Sequence, residues 1–350
     1  MKAIEALYEA QKIAFSPFVF QTVITMLDLN ILAEISQKEK EGISIPKLSQ
    51  NLGLTEYGVT VLVEMAVSAQ ILAEDENGML SLTKTGFFIL NDEMTRVNFN
   101  FTQDVCYNGL FHLKEAIREG SPAGLKMLGE WNTVYEGLSQ LPEHVRKSWF
   151  DFDHFYSDNS FEEALKIIFS RQPQRIYDIG GNTGKWAIAS TLHDPQVKVT
   201  IFDLPGQIET ARVNITAIPE IKGRVDYHPV NLLDEASEIP AGADVYWMSQ
   251  FLDCFSESEI EQILLKIGKH ASKDSDIYIM ETFIDNQLFP AASFSLIATS
   301  LYFTAIANGN SKMYTSATMK YIVDKAGFTT VGEYRLLENS YHTILHCKLK

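Results

Sequence analysis

The sequence predicts an α/β protein with a doubly wound, mostly parallel sheet carrying one antiparallel strand, preceded by a mostly helical domain. Three observations predict it. Ile176-Tyr-Asp-Ile-Gly-Gly-Asn-Thr-Gly184 is a short apolar run ending in a glycine turn, and a second run, Val197 to Phe202, ends in Asp203. That order of strand, loop, helix, strand and acid places a nucleoside at the carboxyl ends of adjacent parallel strands, its ribose against the acid. The chain closes on two strand-like runs, Thr329–Leu336 and His342–Leu349, joined by a short polar turn and hence antiparallel. Before residue 95 the dominant period is helical, as in Phe20, Ile24, Leu27, Ile31 and Ile35.

We read three regions, 1–95, 96–170 and 171–350. In the first, Ile43–Gly53 reads as a short helix stopped by Gly53. Thr55 then caps a second helix reaching about Ala69. Ile71–Leu82 reads as two strands around an Asn77-Gly78 turn. Helix, turn, helix and hairpin outline a winged helix. The second helix carries Glu56 and Glu64 and no Lys or Arg, which argues against phosphate contacts and favours packing or dimerisation. The middle region is helical and aromatic, and Trp149–Phe161 is placed to roof a ligand pocket. In the last, Arg224–Val230, Asp244–Gln250 and Asp276–Glu281 supply the third, fourth and fifth strands.

Composition narrows the class. The 350 residues are 46% hydrophobic and 21% charged, with a net charge of −16, which suits a globular protein of two or more domains and disfavours a nucleic-acid surface. Cys106, Cys254 and Cys347 fit neither a metal spacing nor a disulfide framework, so we expect reduced thiols and a cytoplasmic setting. The acidic N-terminus does not read as a signal peptide. The uncharged stretch 286–311 contains Pro290 and many polar residues, and reads as too interrupted to span a bilayer.

The glycine loop selects the cofactor. Counting from Gly180, the third and sixth positions are Asn182 and Lys185, so neither a dinucleotide fingerprint nor a P-loop is present. Asp178-x-Gly180-Gly181-x-x-Gly184 with Asp203 instead resembles the S-adenosylmethionine (SAM) loop of class I methyltransferases. Asn182 departs from the usual glycine but tolerates a left-handed backbone. With the winged helix and terminal strands, nearly the whole chain resembles the dimeric small-molecule O-methyltransferases of plant phenylpropanoid, hydroxyindole and bacterial polyketide metabolism. Phe152–Ser160 resembles the aromatic helix over the cofactor. Pro229–Leu233 stands where that family has a Gly-Asp pair, its acid replaced by Asn231.

The resemblance implies SAM contacts from Asp178, Gly180, Gly181, Gly184, Asp203, Leu204, Asn231, Leu232, Ser249 and Tyr156, with S-adenosylhomocysteine (SAH) as product. It implies a small methyl acceptor, a homodimer formed through the N-terminal domain, and neither nucleic-acid nor membrane partners. Met248–Phe255 stands where the family carries a general-base histidine. Aligned on Asp253, that position is Leu252; of the two acids that orient the histidine, one corresponds to Glu281 and the other to Met313. The usual proton abstraction therefore does not carry over. His154, Glu281 and Asp253 are the candidate catalytic groups, although Asp253 competes with Ser256 for the cap of the next helix. Tyr302, Phe303 and Tyr314 are candidates to face the acceptor, and no residue spacing suggests a metal. Orientation can supply much of the acceleration, so the sequence favours methylation of a small aromatic or polyketide-like molecule. Two alternatives are non-methylating chemistry on the same fold, such as decarboxylation or hydroxylation, and a SAM-binding partner protein without catalysis.

Overall fold

The computed structural model describes residues 2–38, 41–336 and 341–350. It divides into two compact units, Met1–Gln103 and Asp104–Lys350.

In the first unit, helices Ser16–Asp28, Ile31–Ser36, Ile45–Leu52 and Glu56–Ser68 enclose Met26, Ile31, Leu32, Leu48 and Val59, all fully buried. Each such aliphatic side chain contributes about 1.5–3 kcal/mol by leaving water. Gly53 ends the third of these helices at φ +66°, and Thr55 opens the fourth by accepting the Gly58 N–H at 3.1 Å. β1 (Leu72–Glu74) and β2 (Leu80–Leu82) pair antiparallel, and Ile43 bridges to Leu80 as a third edge. The turn differs from a two-residue Asn-Gly hairpin. It runs from Asp75 to Met79, and the Asp75 carboxylate accepts the N–H groups of both Asn77 and Met79 at 2.8 Å.

The second unit is built on seven strands: β3 (Arg175–Ile179), β4 (Lys198–Asp203), β5 (Val225–Pro229), β6 (Val245–Ser249), β7 (Asp276–Glu281), β8 (Phe328–Arg335) and β9 (Thr343–Leu349). Their order is β5-β4-β3-β6-β7-β9-β8. β3 to β7 run parallel, and β9 is antiparallel to both its neighbours. The expected turn between the last two strands lies outside the described residues. The chain order reverses between β3 and β6, and in an open α/β sheet that switch point is where a crevice forms. β7 is buried along its whole length, as a central strand covered on both faces should be.

Two sequence expectations fail here for local reasons. Ser256, not Asp253, caps helix Glu257–His270: its hydroxyl accepts the Glu259 N–H, while Glu259 returns a bond to the Ser256 N–H at 2.8 Å. Asp253 lies one turn earlier, in the 3₁₀ turn Leu252–Cys254. Pro290 does not interrupt the uncharged segment, because it occupies the first turn of its helix, where no N–H is needed. Pro290–Ala307 is therefore one helical run of 18 residues with mean hydropathy 1.4, long and apolar enough by length and composition to cross a bilayer. A third of it is buried within the protein. Its last turn opens into a π-helix at Phe303–Ala307, where the Ala305 carbonyl accepts the Gly124 N–H.

Candidate active site

The crevice is built from the ends of β3, β4 and β6. After Ile179 the chain turns through Gly180 (φ +75°), Asn182 (φ +47°) and Gly184 (φ +82°) before helix Lys185–His193. Two of these glycines are required by their neighbours as well as by their backbone. A β-carbon on Gly180 would stand 2.1 Å from the Phe251 ring, and one on Gly184 would meet Ile215 at 2.9 Å. Gly181 lies against Asp178, whose Oδ2 would be 2.7 Å from an added β-carbon.

Two carboxylates flank this loop. Asp203, at the end of β4, accepts the Asn182 N–H on Oδ2 at 2.8 Å and the Leu204 N–H on Oδ1 at 2.7 Å. Burial raises its carboxyl to about 6, and those two N–H donors hold it from rising further. Each oxygen keeps a lone pair for a ribose hydroxyl. Asp178 is 2% exposed, and its Oδ2 is buried with no hydrogen-bond partner among the described residues. Burial, then the charge of Asp203, drives this carboxyl well above the usual range. An unpartnered buried carboxylate oxygen is costly unless a donor arrives, and a cationic ligand supplies one.

A cleft open to solvent lies beside the loop. Asp178, Gly180, Gly181 and Ser249 line it, together with Asp153, His154, Asp158, Lys185 and Gln250. Trp186 and Trp247, stacked at 4.1 Å, complete one wall. The roof is helix Glu143–Asp158, in which Asn182 Nδ2 donates to Asp153 at 3.0 Å and Lys185 pairs with Asp158.

Other candidate residues stand elsewhere. Asn231 is exposed and spends its amide oxygen on the Leu233 N–H at 3.0 Å, while the Leu232 side chain is buried in the sheet's core. Tyr156 packs against Phe152, Phe155 and Tyr341. His154 stacks on Phe150, with Nε2 3.5 Å from Thr183 Oγ1 and Nδ1 3.6 Å from an Asp158 oxygen. Its ring is thus engaged with the glycine loop and its own helix. The Tyr302 hydroxyl accepts the Trp149 indole N–H at 2.7 Å, and the Tyr314 hydroxyl donates to the Phe255 carbonyl at 2.7 Å.

Asp253 and Glu281 form a second acidic centre. Glu281 is 2% exposed, and its Oε1 accepts the N–H groups of Phe251 and Leu252 at 3.1 and 2.9 Å. Its Oε2 is buried without a partner among the described residues. Burial, reinforced by the charge of Asp253, raises this carboxyl well above its ordinary value. Burial likewise pushes Asp253 up to about 7, with the charge of Asp153 adding to it. Leu252, which the sequence aligned with the family histidine, is fully buried in the core cluster of Ile260 and Phe283. Among the described residues no group of three His, Cys, Asp or Glu is arranged to hold a metal.

Sequence reasoning gave no role to Asp153, Asp158, Lys185 and Gln250, all of which line the cleft. Lys185 was signalled by its position directly after Gly184. Asp153 and Asp158 lie within Phe152–Ser160 and Gln250 ends the run Asp244–Gln250, but what each faces depends on segments far apart in the chain.

A glycine loop, two flanking acids and a cleft at the switch point define an enzyme of the nucleoside-cofactor-binding, doubly wound class. The chain matches the O-methyltransferase domain family over residues 150–329 and a dimerisation2-like domain over residues 8–78. It belongs to that O-methyltransferase family and is a SAM-dependent methyltransferase. It is 22% identical to the L-tyrosine C(3)-methyltransferase of Streptomyces lavendulae over 90% of this chain and 85% of that one. It is 24% identical to the demethylspheroidene O-methyltransferase of Rhodobacter capsulatus over 95% of this chain and 79% of that one. Human N-acetylserotonin methyltransferase, solved in complex with SAM, superimposes with a TM-score of 0.67 at 15% identity, covering 100% of this chain and 99% of that one.

Proposed function

We propose that the enzyme methylates an oxygen of a small aromatic or polyketide-like acceptor. The observation that carries this reading is the pair of acids on the glycine loop, within a chain of the O-methyltransferase family. The residues fit SAM: Asp203 has an open lone pair on each oxygen for the ribose, and the unpartnered oxygen of Asp178 suits the cofactor's ammonium group. When bound, SAM supplies an activated methyl group on a cationic sulfur. The protein's part is to orient the acceptor, exclude water and receive a proton.

For the proton we assign Asp253. It follows the core-bound Leu252 on the turn held by Glu281, and its carboxyl, raised to about 7, is poised to take a proton near neutrality. Glu281 positions that turn through the Phe251 and Leu252 N–H groups. His154 has a weaker claim, because its ring already meets Thr183 and Asp158.

We also assign self-association to the N-terminal unit. Ile4, Leu7 and Ile13 lie exposed on the first helix, Ala3–Ala14, Phe18 on the second, Ser16–Asp28, and Phe15 between them; the dimerisation-like match begins at residue 8. Its free cysteines accord with a reducing, cytoplasmic setting. Incubation of the full chain with methyl-labelled SAM and a panel of phenols and hydroxyquinones tests the reading. A labelled methyl ether supports it; transfer only to carbon, or a product changed by loss of carbon dioxide or gain of oxygen, overturns it.

A further inference from the structure

Asn182 does more than turn the chain. At φ +47° it occupies a left-handed conformation that glycine would meet at least strain. Its main-chain N–H donates to Asp203 Oδ2 at 2.8 Å, a bond glycine would also make. Its side chain makes two more. Nδ2 donates to Asp153 Oδ2 on the roof helix at 3.0 Å, and Oδ1 accepts from Gln207 Nε2 at 2.6 Å. Gln207 is buried on helix Pro205–Thr216, directly after Asp203 and Leu204.

One residue thus ties three elements together: through its main chain the acid that ends β4, and through its side chain the helix that follows and the roof. A primary amide can donate to a carboxylate while accepting from a second amide, and glycine at this position could do neither. Around it, Lys185 pairs with Asp158, and His154 Nε2 approaches Thr183 Oγ1 at 3.5 Å. The roof residues of this seam, Asp153, His154 and Asp158, line the same cleft as Asp178 and Ser249.

We propose that Asn182 is a positioning residue that clamps the roof helix over bound SAM or SAH and sets how fast they leave. This rests on the cofactor reading above and adds to it a control of release. A ligand lying between the loop and the roof is held there in part by the Asn182–Asp153 bond that joins the two. Loss of that bond therefore accelerates dissociation, while encounter with an open cleft changes little.

The test is stopped-flow dissociation of SAH from the full-length chain, with association rates measured in parallel. Asn182→Gly removes both side-chain bonds at a backbone angle that glycine accepts, and Asp153→Asn removes the roof carboxylate's charge. Each variant is expected to raise the dissociation rate about tenfold, the size of one hydrogen bond to a charged partner. Association should change less than about twofold, and the double variant should dissociate no faster than the singles. Melting curves confirm that each variant is folded, and Gln207→Leu, which leaves the Asp153 bond in place, should have the smaller effect. Unchanged dissociation in both single variants, or strictly multiplicative effects in the double, overturns the clamp while leaving the cofactor assignment intact. Absence of any SAH binding by the unaltered chain overturns the cofactor assignment and the clamp with it.

Discussion

Asp203 and Asp253 are both buried carboxyls raised toward neutrality, yet the roles proposed for them differ. Asp203 is held by two main-chain N–H donors and is proposed to bind a ligand; the charge of Asp253 acts on a second acid, Glu281, and Asp253 is proposed to take a proton. In the free protein burial pushes the Asp203 carboxyl up to about 6. Because ligand hydroxyls and a cationic cofactor favour the carboxylate, binding below that pH must expel a proton. Through this one group SAM affinity should therefore rise with pH from about 5, by at most about tenfold per pH unit, and the raised carboxyl of Asp178 adds to that rise. Calorimetric titrations across pH 5–8 check this; an affinity that falls with rising pH contradicts it. Asp253→Asn should lower kcat by about 10²- to 10⁴-fold, the usual worth of a positioned base. It should also remove a pH-rate limb near 7 while leaving SAH affinity unchanged. An unaltered pH profile would transfer the base role away from Asp253.

At the scale of elements, what could be read from the sequence was local and what could not was assembled. The strand–loop–helix–acid order was legible because every part of it lies within Ile176 to Asp203. Gly53, Thr55 and the terminal strand pair were legible for the same reason. The two strands around Asn77-Gly78 form as expected, and the Asp75 carboxylate, by capturing two N–H groups, widens the loop between them. Asp253 was weighed as a cap because nothing in the sequence excludes it; the reciprocal bonds of Ser256 and Glu259 decide the matter. The roof contacts Asp153–Asn182 and Lys185–Asp158 join segments that only the folded sheet brings together. Ser256→Ala should cost about 1 kcal/mol of stability, the typical worth of an N-cap, with SAH affinity unchanged. Urea denaturation measures it, and a loss below about 0.3 kcal/mol would show that the cap is not what starts this helix.

At the scale of the whole chain, separate tasks are proposed for the two compact units. The C-terminal unit carries every candidate cofactor and proton-transfer residue, and the N-terminal unit exposes an apolar face on its first two helices. Single exposed apolar residues are ordinary, but several on neighbouring turns mark a surface that needs covering. We expect light scattering to give twice the chain's mass of 39.5 kDa, and Ile13→Asp with Phe18→Asp to shift it to the monomer. A monomer in the unaltered protein would contradict that assignment.

The central claim is that the carboxylate ending β4 grips the ribose of SAM. Calorimetry of SAH binding to the unaltered chain and to Asp203→Ala tests it most directly. The account predicts measurable heat for the first and an affinity weaker by about a hundredfold for the second, from two lost hydrogen bonds to a charged group. Equal affinity in the two proteins, with both folded, would contradict it.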